Sequence, residues 1–329
     1  MSASKWTLAT LGAVAGLAGI GALYQLISEA RDKSKNPPPG KLVDVGGHRL
    51  HINSMGEGSP VVVMDAGGAS SSISWSLVQP EVAKFTRVIT FDRAGHGWSD
   101  PGPKPQSSER IIEELDTLLS NEKIEGPYIV VGQSFGGQNV RLYASLYPDK
   151  VAGMVLVDSA HEDWAKIKSI APWRGRLIED ARTLKLQLNP ILARLGWLRL
   201  RYRPSGLPQG FSIEAQAAAT ALDLRSRAYD GILGLLATIE MCDDQLRNSP
   251  PLPDIPLTVL SAHVRHEPWG IPADEADRYW MELAADLASR VPNSTHIVSE
   301  NGGHNLHYDD PKLVIDAIRQ VVETVRAKR

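Results

Sequence analysis

The segment from residue 128 to residue 137 constrains the fold of this chain more than any other. Residues 128–131 form an apolar run with the length and composition of a buried strand, and Gly132-Gln133-Ser134-Phe135-Gly136 follows at once. A helical pattern comes next, with apolar or aromatic residues on one face: Val140, Tyr143, Ala144 and Tyr147. Between a strand and a helix, Gly-x-Ser-x-Gly makes a tight bend that lifts the serine hydroxyl above the sheet edge, because glycines relieve the backbone crowding. The segment predicts a nucleophile elbow with Ser134 as the nucleophile.

Strand patterns alternate with helical patterns through most of the remaining chain. Residues 41–55 have the alternation of a hairpin, and six further runs are apolar enough to be buried strands: 61–64, 88–91, 128–131, 151–157, 255–261 and 295–299. Such alternation predicts an α/β fold with a mostly parallel, doubly wound sheet and helices on both faces. Ligand sites of such sheets lie at the carboxyl ends of the strands. Four polar residues fall at such ends: Asp65, Asp92, Ser134 and Asp158.

The rhythm of strands and helices is interrupted once, between residues 161 and 250. This stretch has helical patterns rich in Leu and Trp and no run that would form a buried strand. We interpret it as a helical cap inserted over the sheet. The predicted organisation is therefore an anchor and linker at 1–40, a first part of the core at 41–160, the cap at 161–250 and a second part of the core at 251–329.

The N-terminal segment differs in composition from everything that follows. Residues 7–27 contain no charged side chain, and that length matches a helix that spans a bilayer. We interpret the segment as an uncleaved single-pass membrane anchor, joined to the domain by the stiff linker Pro37-Pro38-Pro39-Gly40. The alternative is a cleaved signal peptide of a secreted protein. More basic residues follow the segment than precede it, which favours a cytoplasmic side for the catalytic domain.

A serine hydroxyl is a weak nucleophile until a base accepts its proton. Histidine suits this role because its ordinary pKa lies near working pH. His304 follows the last predicted strand in a Gly302-Gly303 loop, which can bring its imidazole over the sheet edge to Ser134. His307 is the competing base in the same loop.

Taken together, these motifs resemble the α/β-hydrolase superfamily over about residues 47–325. The resemblance rests on the Gly-x-Ser-x-Gly elbow, the glycine-punctuated turn at 92–99, the Gly67-Gly68 loop with Trp75 beyond it, and Gly303-His304. It implies Ser134 as nucleophile, His304 as base, and an oxyanion hole formed by the backbone N–H groups of Gly68 and Phe135. The sequence departs from the family at Ala66-Gly67, where His-Gly is frequent, but backbone donors tolerate that change.

The resemblance leaves the acid of the triad open. The usual position follows the penultimate strand, where this chain has no aspartate and only Glu267 as a carboxylate. The other position known in the family is the end of the strand after the elbow helix, which is Asp158. We favour Asp158 because it directly ends a strand, and keep Glu267 as the alternative. Asp92 and Arg93 are instead assigned to fixing their own turn.

The resulting prediction is a serine hydrolase that cleaves a carboxylic ester of a small, lipophilic molecule through a covalent acyl-enzyme. Trp98, Trp164 and Trp269 are candidates for lining its apolar pocket. The same triad would also support C–C bond hydrolysis, amide hydrolysis or cofactor-free haloperoxidase chemistry. A non-catalytic binding protein on this scaffold is a further alternative. A serine nucleophile argues against the dehalogenases and epoxide hydrolases of the superfamily that use an aspartate.

Composition excludes several other classes of protein. The net charge of −3 gives no electrostatic basis for a nucleic-acid partner. The single cysteine, Cys242, excludes an internal disulfide and a cysteine-built zinc site. The chain has neither His-Glu-x-x-His nor a phosphate-binding loop of the Gly-Lys-Ser/Thr type. We therefore predict no metal and no cofactor, with a small-molecule substrate and a membrane as the expected partners.

Overall fold

The computed structural model describes residues 3–202, 208–264 and 266–328. The predicted anchor, cap and second core part include a few residues outside these ranges. The described strands are β1 (Lys41–Asp44), β2 (Arg49–Met55), β3 (Val62–Asp65), β4 (Val88–Phe91), β5 (Tyr128–Gln133), β6 (Val151–Val157), β7 (Leu257–Ala262) and β8 (Thr295–Ser299). The described helices are α1 (Ala3–Lys35), α2 (Gln79–Val82), α3 (Ser108–Asn121), α4 (Phe135–Leu146), α5 (Trp173–Arg194), α6 (Trp197–Arg201), α7 (Ile213–Asp223), α8 (Ser226–Arg247), α9 (Ala273–Ser289), α10 (Leu306–Asp309) and α11 (Pro311–Ala327).

The strands form one sheet in the order β1-β2-β4-β3-β5-β6-β7-β8. β2 pairs antiparallel with β1 and β4, and every other neighbouring pair is parallel. The predicted α/β class with a mostly parallel, doubly wound sheet is confirmed. Parallel strands end at one edge, so the residues that follow β3, β4, β5 and β6 are brought together there.

Both faces of the sheet are buried, which explains why its central strands are apolar along their whole length. Along β5, Tyr128 and Val130 pack into one cluster, while Ile129 and Val131 pack into the other, as the two-residue period of a strand requires. Helices α3, α4 and α9 cover the first face. On the second face, α11 contributes buried residues at helical spacing: Val314, Ala317, Ile318, Val321, Val322 and Val325. Each buried aliphatic side chain contributes roughly 1.5–3 kcal/mol.

The chain leaves the sheet at the end of β6 and returns at β7. The described residues between these strands contain α5, α6, α7 and α8 and no strand, which confirms a helical insertion in the fold. α8 ties the cap to the core, since Gln138 Nε2 on α4 donates to Asp243 Oδ1 at 2.7 Å. Thr238 Oγ1 on the same helix donates to the Gln106 carbonyl at 3.1 Å.

The N-terminal helix α1 is the one described helix that is long and apolar enough to cross a membrane, over Thr10–Lys35. The C-terminal part of α1 packs against the cap, where Gly21 lies close to the backbone of Leu195.

Candidate active site

Ser134 lies between β5 and α4 in a strained backbone conformation, with φ 51° and ψ −119°. The glycines on either side make this bend possible. A Cβ at Gly132 would collide with the Gly136 carbonyl, and a Cβ at Gly136 would collide with the Asp65 carbonyl. The Gly-x-Ser-x-Gly spacing therefore has the steric basis that the sequence pattern indicates.

His304 connects this serine to a buried carboxylate. His304 Nε2 lies 3.0 Å from Ser134 Oγ, and His304 Nδ1 lies 2.7 Å from Asp158 Oδ2. The Asp158 side chain is buried, whereas 51% of the His304 side chain is exposed, so the imidazole links the interior to the surface. Both distances are within hydrogen-bonding reach for a serine, base and acid relay.

The second oxygen of Asp158 is also held. Asp158 Oδ1 accepts from the Ala262 backbone N–H and from Trp280 Nε1–H, each at 2.9 Å. Trp280 also meets the His304 ring edge-on, with centroids 6.1 Å apart. Our sequence reasoning missed Trp280, because its helical spacing on α9 only marks it as a core residue. Its contact with the carboxylate arises because α9 packs beside β7.

Replacing Trp280 with phenylalanine is expected to lower kcat by about 10- to 100-fold with little change in KM, because a hydrogen bond to a charged group contributes roughly 1.5–3 kcal/mol. An aromatic ring is kept, although a smaller one, but Asp158 Oδ1 loses one donor. Steady-state kinetics would measure this. Tyr279→Phe is the matched control, since Tyr279 donates to the Asp163 carbonyl instead. Equal losses in the two variants would contradict a positioning role for Trp280.

The segment after Asp158 is fastened to the helix that follows Ser134. Arg141 on α4 donates to Glu162 Oε2 at 2.8 Å and to the Ala160 carbonyl at 2.9 Å. The Ala160 N–H in turn donates to the Ser134 carbonyl at 2.9 Å. These bonds fix the distance between the carboxylate and the elbow.

Glu267, the alternative acid, is exposed and precedes the turn Pro268–Gly270. Both ring nitrogens of His304 already face Asp158 and Ser134. The structure therefore brings Asp158, and not Glu267, against the imidazole.

The predicted oxyanion loop lies directly against the elbow. A Cβ built on Gly68 would lie 3.5 Å from Phe135 Cβ. Phe135 is the first residue of α4, where a helix leaves its N–H groups without an intrahelical acceptor. Arg93 holds the loop from below, since it donates to the carbonyls of Ala66, Gly67 and Gly68. These bonds hold the loop in place beside the N-terminus of α4.

Asp92 and Arg93 do not pair with each other. Arg93 Nη1 binds Asp65 Oδ1 at 2.6 Å in a buried ion pair. Asp92 instead accepts from the backbone N–H of Ser72 at 2.6 Å and of Trp98 at 2.9 Å, and contacts His51 Nδ1 at 2.9 Å. Asp92 thus joins two loops, while Arg93 holds the loop at residues 66–68 through its carbonyls.

His307, the competing base, is fully buried between Trp75 and Tyr308. Neither of its ring nitrogens has a hydrogen-bond partner among the described residues. Burial, followed by the nearby His304, lowers the pKa of His307 from 6.5 to about 3. A buried, neutral imidazole without contact to the serine is unsuited to take its proton.

His307→Phe is expected to stabilise the protein more at pH 5 than at pH 7.5. When the pH falls below about 6.5, His307 is protonated in the unfolded protein, whereas in the folded protein it stays neutral down to about pH 3. At pH 5 the free energy of unfolding of the wild type is therefore lowered by about 2 kcal/mol, at 1.36 kcal/mol per pKa unit. That of the variant is not lowered in this way. Urea unfolding in detergent at both pH values measures the difference, and packing effects cancel between them. A pH-independent difference would contradict the burial argument.

The three predicted pocket tryptophans fall into two groups. Trp164 packs against Trp269 and Trp280, with ring centroids 5.9 and 5.0 Å apart. Trp280 also contacts the His304 ring, so it lies between His304 and the aromatic layer formed by Trp164 and Trp269. Trp98 lies elsewhere: it is buried against His51, and its Nε1 donates to the Asn36 carbonyl at 3.1 Å. Leu235 on α8, which the sequence reasoning missed, faces Gly68 at the oxyanion loop.

Within the described part of the chain, no three His, Cys, Asp or Glu side chains converge as metal ligands would. The candidate site consists of Ser134, His304 and the buried carboxylate of Asp158, beside the loop at Gly67 and Gly68.

A family model and two solved structures agree on the family and fold of this chain. Residues 62–317 match the model of the alpha/beta hydrolase family. Two solved structures share the fold: a loop variant of a haloalkane dehalogenase from Bradyrhizobium elkanii and a malate-bound thermophilic esterase from Thermogutta terrifontis. The first has a TM-score of 0.63 and 18% identity, over 88% of this chain and 97% of that one. The second has a TM-score of 0.58 and 20% identity, over 87% and 99%.

Curated relatives are more varied in their names. Probable transporter efuK of Hormonema carpetanum is 26% identical over 316 residues, which are 88% of this chain and only 43% of that protein. This chain thus spans less than half the length of that relative. Uncharacterized protein YqjL of Bacillus subtilis (strain 168) is 24% identical over 85% of this chain and 91% of its own length. A 2-hydroxymuconate semialdehyde hydrolase of Pseudomonas sp. (strain CF600) is 30% identical over 128 residues, or 38% of this chain and 45% of that enzyme.

Proposed function

This chain belongs to the α/β-hydrolase family, and on that premise we propose that it is a serine hydrolase that cleaves a carboxylic ester of a small, lipophilic molecule. The observation that carries the proposal is the continuous relay from Asp158 through His304 to Ser134, with distances of 2.7 and 3.0 Å. A binding protein without catalysis has no use for a strained serine in contact with a carboxylate-bound imidazole.

The proposed reaction has two half-reactions. Ser134 Oγ attacks the ester carbonyl while His304 Nε2 takes the hydroxyl proton, and the oxygen that becomes negative accepts from the N–H groups of Gly68 and Phe135. His304 then gives its proton to the departing alkoxide, which leaves an acyl group on Ser134. Water, deprotonated by His304, attacks this acyl group and releases the acid, and the proton returns to Ser134. Asp158 stabilises the imidazolium in both halves.

A panel of p-nitrophenyl esters with acyl chains from two to twelve carbons tests this function. We expect kcat/KM to rise with chain length up to the capacity of an apolar pocket, because each buried CH₂ contributes about 0.8 kcal/mol. If the protein reacts with a fluorophosphonate but hydrolyses none of these esters, the result would contradict ester cleavage. It would still support Ser134 as the nucleophile.

C–C bond hydrolysis is a second candidate, favoured by the partial similarity to the 2-hydroxymuconate semialdehyde hydrolase. The two candidates are separated by comparing a vinylogous 1,5-diketone with the best ester under the same conditions. A kcat/KM at least about tenfold higher for the diketone would assign the triad to C–C cleavage.

We also propose that α1 anchors the protein in a membrane, which brings a lipophilic substrate within reach. Its apolar composition over Thr10–Lys35 supports this. Retention of the full chain in the membrane fraction after alkaline carbonate extraction is the expected result, and release by carbonate would contradict an inserted helix.

A further inference from the structure

Helix α1 has two halves with different surroundings. Its C-terminal half carries small or polar residues spaced by four, four and three positions, so that they share one face of the helix: Gly21, Gln25, Glu29 and Asp32. This polar stripe faces the cap. The N-terminal half, residues 3–20, has no such stripe.

The contacts of the polar stripe are specific. Gln25 is only 2% exposed, and its Nε2 donates to the Leu224 carbonyl at 2.8 Å, at the end of α7. Glu29 Oε1 accepts from both the backbone N–H and the hydroxyl of Ser226, each at 2.7 Å, at the start of α8. These bonds hold the α7–α8 junction against the helix.

Two more contacts attach the cap to α1, at the C-terminal end of α5 and at α6. Arg199 on α6 donates to Asp32 at 2.7 Å in a mostly buried ion pair. A Cβ at Gly21 would collide with the Leu195 carbonyl, so glycine allows the two backbones to approach closely. The cap is therefore fixed to α1, whereas the sequence predicts a domain attached through a linker.

The N-terminal half of α1 presents an apolar surface. Its large apolar side chains are mostly exposed, including Leu11, Leu17 and Ile20. At 1.5 Å per residue, residues 3–20 are about 27 Å long, close to the hydrocarbon thickness of a bilayer. If this half is embedded, the membrane surface lies near Gly21, where the cap begins to contact the helix.

Helix α5 presents an apolar stripe away from the protein. Its buried residues, Gly175, Pro190 and Ala193, share the face that packs on α8 and on the turn Pro268–Gly270. On the opposite face, five apolar residues recur at heptad spacing: Leu177, Ala181, Leu184, Leu188 and Ile191. The four large ones are between 48% and 59% exposed. An amphipathic helix normally turns this face inward, so the stripe indicates a partner.

The charge of the same segment complements an anionic surface. Residues 173–201 contain seven basic and two acidic side chains, in a chain whose net charge is −3. Exposed Trp173 and Trp197 each have a neighbouring arginine over the ring, at 5.3 and 5.6 Å. Tryptophan and basic residues around an apolar stripe are typical of helices that lie in a membrane interface.

The position of α5 joins these observations. Leu195, the residue that follows α5, contacts Gly21, which is the boundary between the embedded and docked halves of α1. The exposed stripe of α5 thus starts at the expected level of the membrane surface.

We propose that α5 and the start of α6 at Trp197 lie in the surface of the bilayer that α1 enters, with the apolar stripe among the acyl chains and the exposed basic residues at anionic phospholipid headgroups. The cap is then a second membrane contact, and the domain has a fixed orientation. This inference rests on the proposed embedding of α1. At its other end, α5 packs at Gly175 against the backbone of Trp269, whose ring lies beside Trp164.

The test places a fluorophore on single cysteines of the full chain, one chain per nanodisc, with 30% anionic phospholipid. Cys242 is fully buried and does not compete for the label. Leu184→Cys reports the apolar stripe, and Thr183→Cys, about 100° around the same helix, is the matched control. With a shallow nitroxide lipid as quencher, we expect quenching at position 184 at least threefold stronger than at position 183.

The outcomes separate this inference from its alternatives. Equal quenching at the two positions would overturn it, as would protection of the Leu184→Cys label only in discs that hold two chains, which would assign the stripe to a second copy. Quenching that is unchanged in pure phosphatidylcholine would overturn the part played by anionic lipid. A Val14→Cys label that stays in water would remove the embedded half of α1 and the inference with it. Fluorophosphonate labelling of the same samples reports the hydrolase function independently.

Discussion

Ser134→Ala is expected to lower kcat for the best ester by about 10⁴- to 10⁶-fold, because the variant has no atom to carry the acyl group. The backbone N–H groups and the binding surface stay in place, so a small residual rate above water is expected. Labelling by a fluorophosphonate should be lost completely, because this reagent needs the activated oxygen that lies 3.0 Å from His304 Nε2. Intact-mass spectrometry measures the labelling, and steady-state kinetics measure the rate.

The control for this variant is Ser70→Ala, in the neighbouring loop, which removes a hydroxyl without a contact to His304. It should keep both labelling and rate within about twofold. Full labelling of Ser134→Ala at another serine would assign the nucleophile elsewhere and overturn the proposed mechanism.

Asp158→Asn is expected to lower kcat by about 10⁴-fold, while Glu267→Gln changes it by less than about threefold. An amide at position 158 removes the negative charge that stabilises the imidazolium and favours the wrong tautomer of His304. The shape of the side chain is kept, and the bond to Trp280 can persist through the amide oxygen. Glu267 is exposed, and the two ring nitrogens of His304 face Asp158 and Ser134 instead, so we expect its charge to matter little.

Circular dichroism and thermal unfolding of both variants in detergent accompany the kinetics, so that a folding defect is not taken for a catalytic one. A larger loss for Glu267→Gln than for Asp158→Asn would assign the acid to the turn after β7. The pair is informative because both residues satisfy the chain order of the family, and they differ only in where the fold carries them.

Local patterns were sufficient for the architecture. β4, β6 and β8 have the bounds that the apolar runs predict, and the other buried strands differ by one or two residues. Burial on both faces forces such strands to be continuously apolar, so composition marks their bounds. The elbow is equally local, because the glycines at positions 132 and 136 and the strained serine lie within five residues.

Longer-range features were harder to predict. The polar stripe of α1 is visible in the sequence as a helical spacing, but its partners are about 170 to 200 residues away. The same holds for Trp280, whose bond to Asp158 spans 122 positions. Neither pairing has a local signature, because hydrogen bonds between distant segments depend on how the helices pack.

The sequence by itself determined the fold class, the elbow at Ser134 and the candidate base at His304, because these follow from polarity and glycine spacing within short segments. Only the tertiary structure decided which carboxylate faces the imidazole, since Asp158 and His304 are 146 residues apart and meet only when their strands end at one edge. It also decided that the N-terminal helix and the cap form one packed unit. Contacts of this kind depend on the assembled sheet and helices, which no short stretch of the chain encodes.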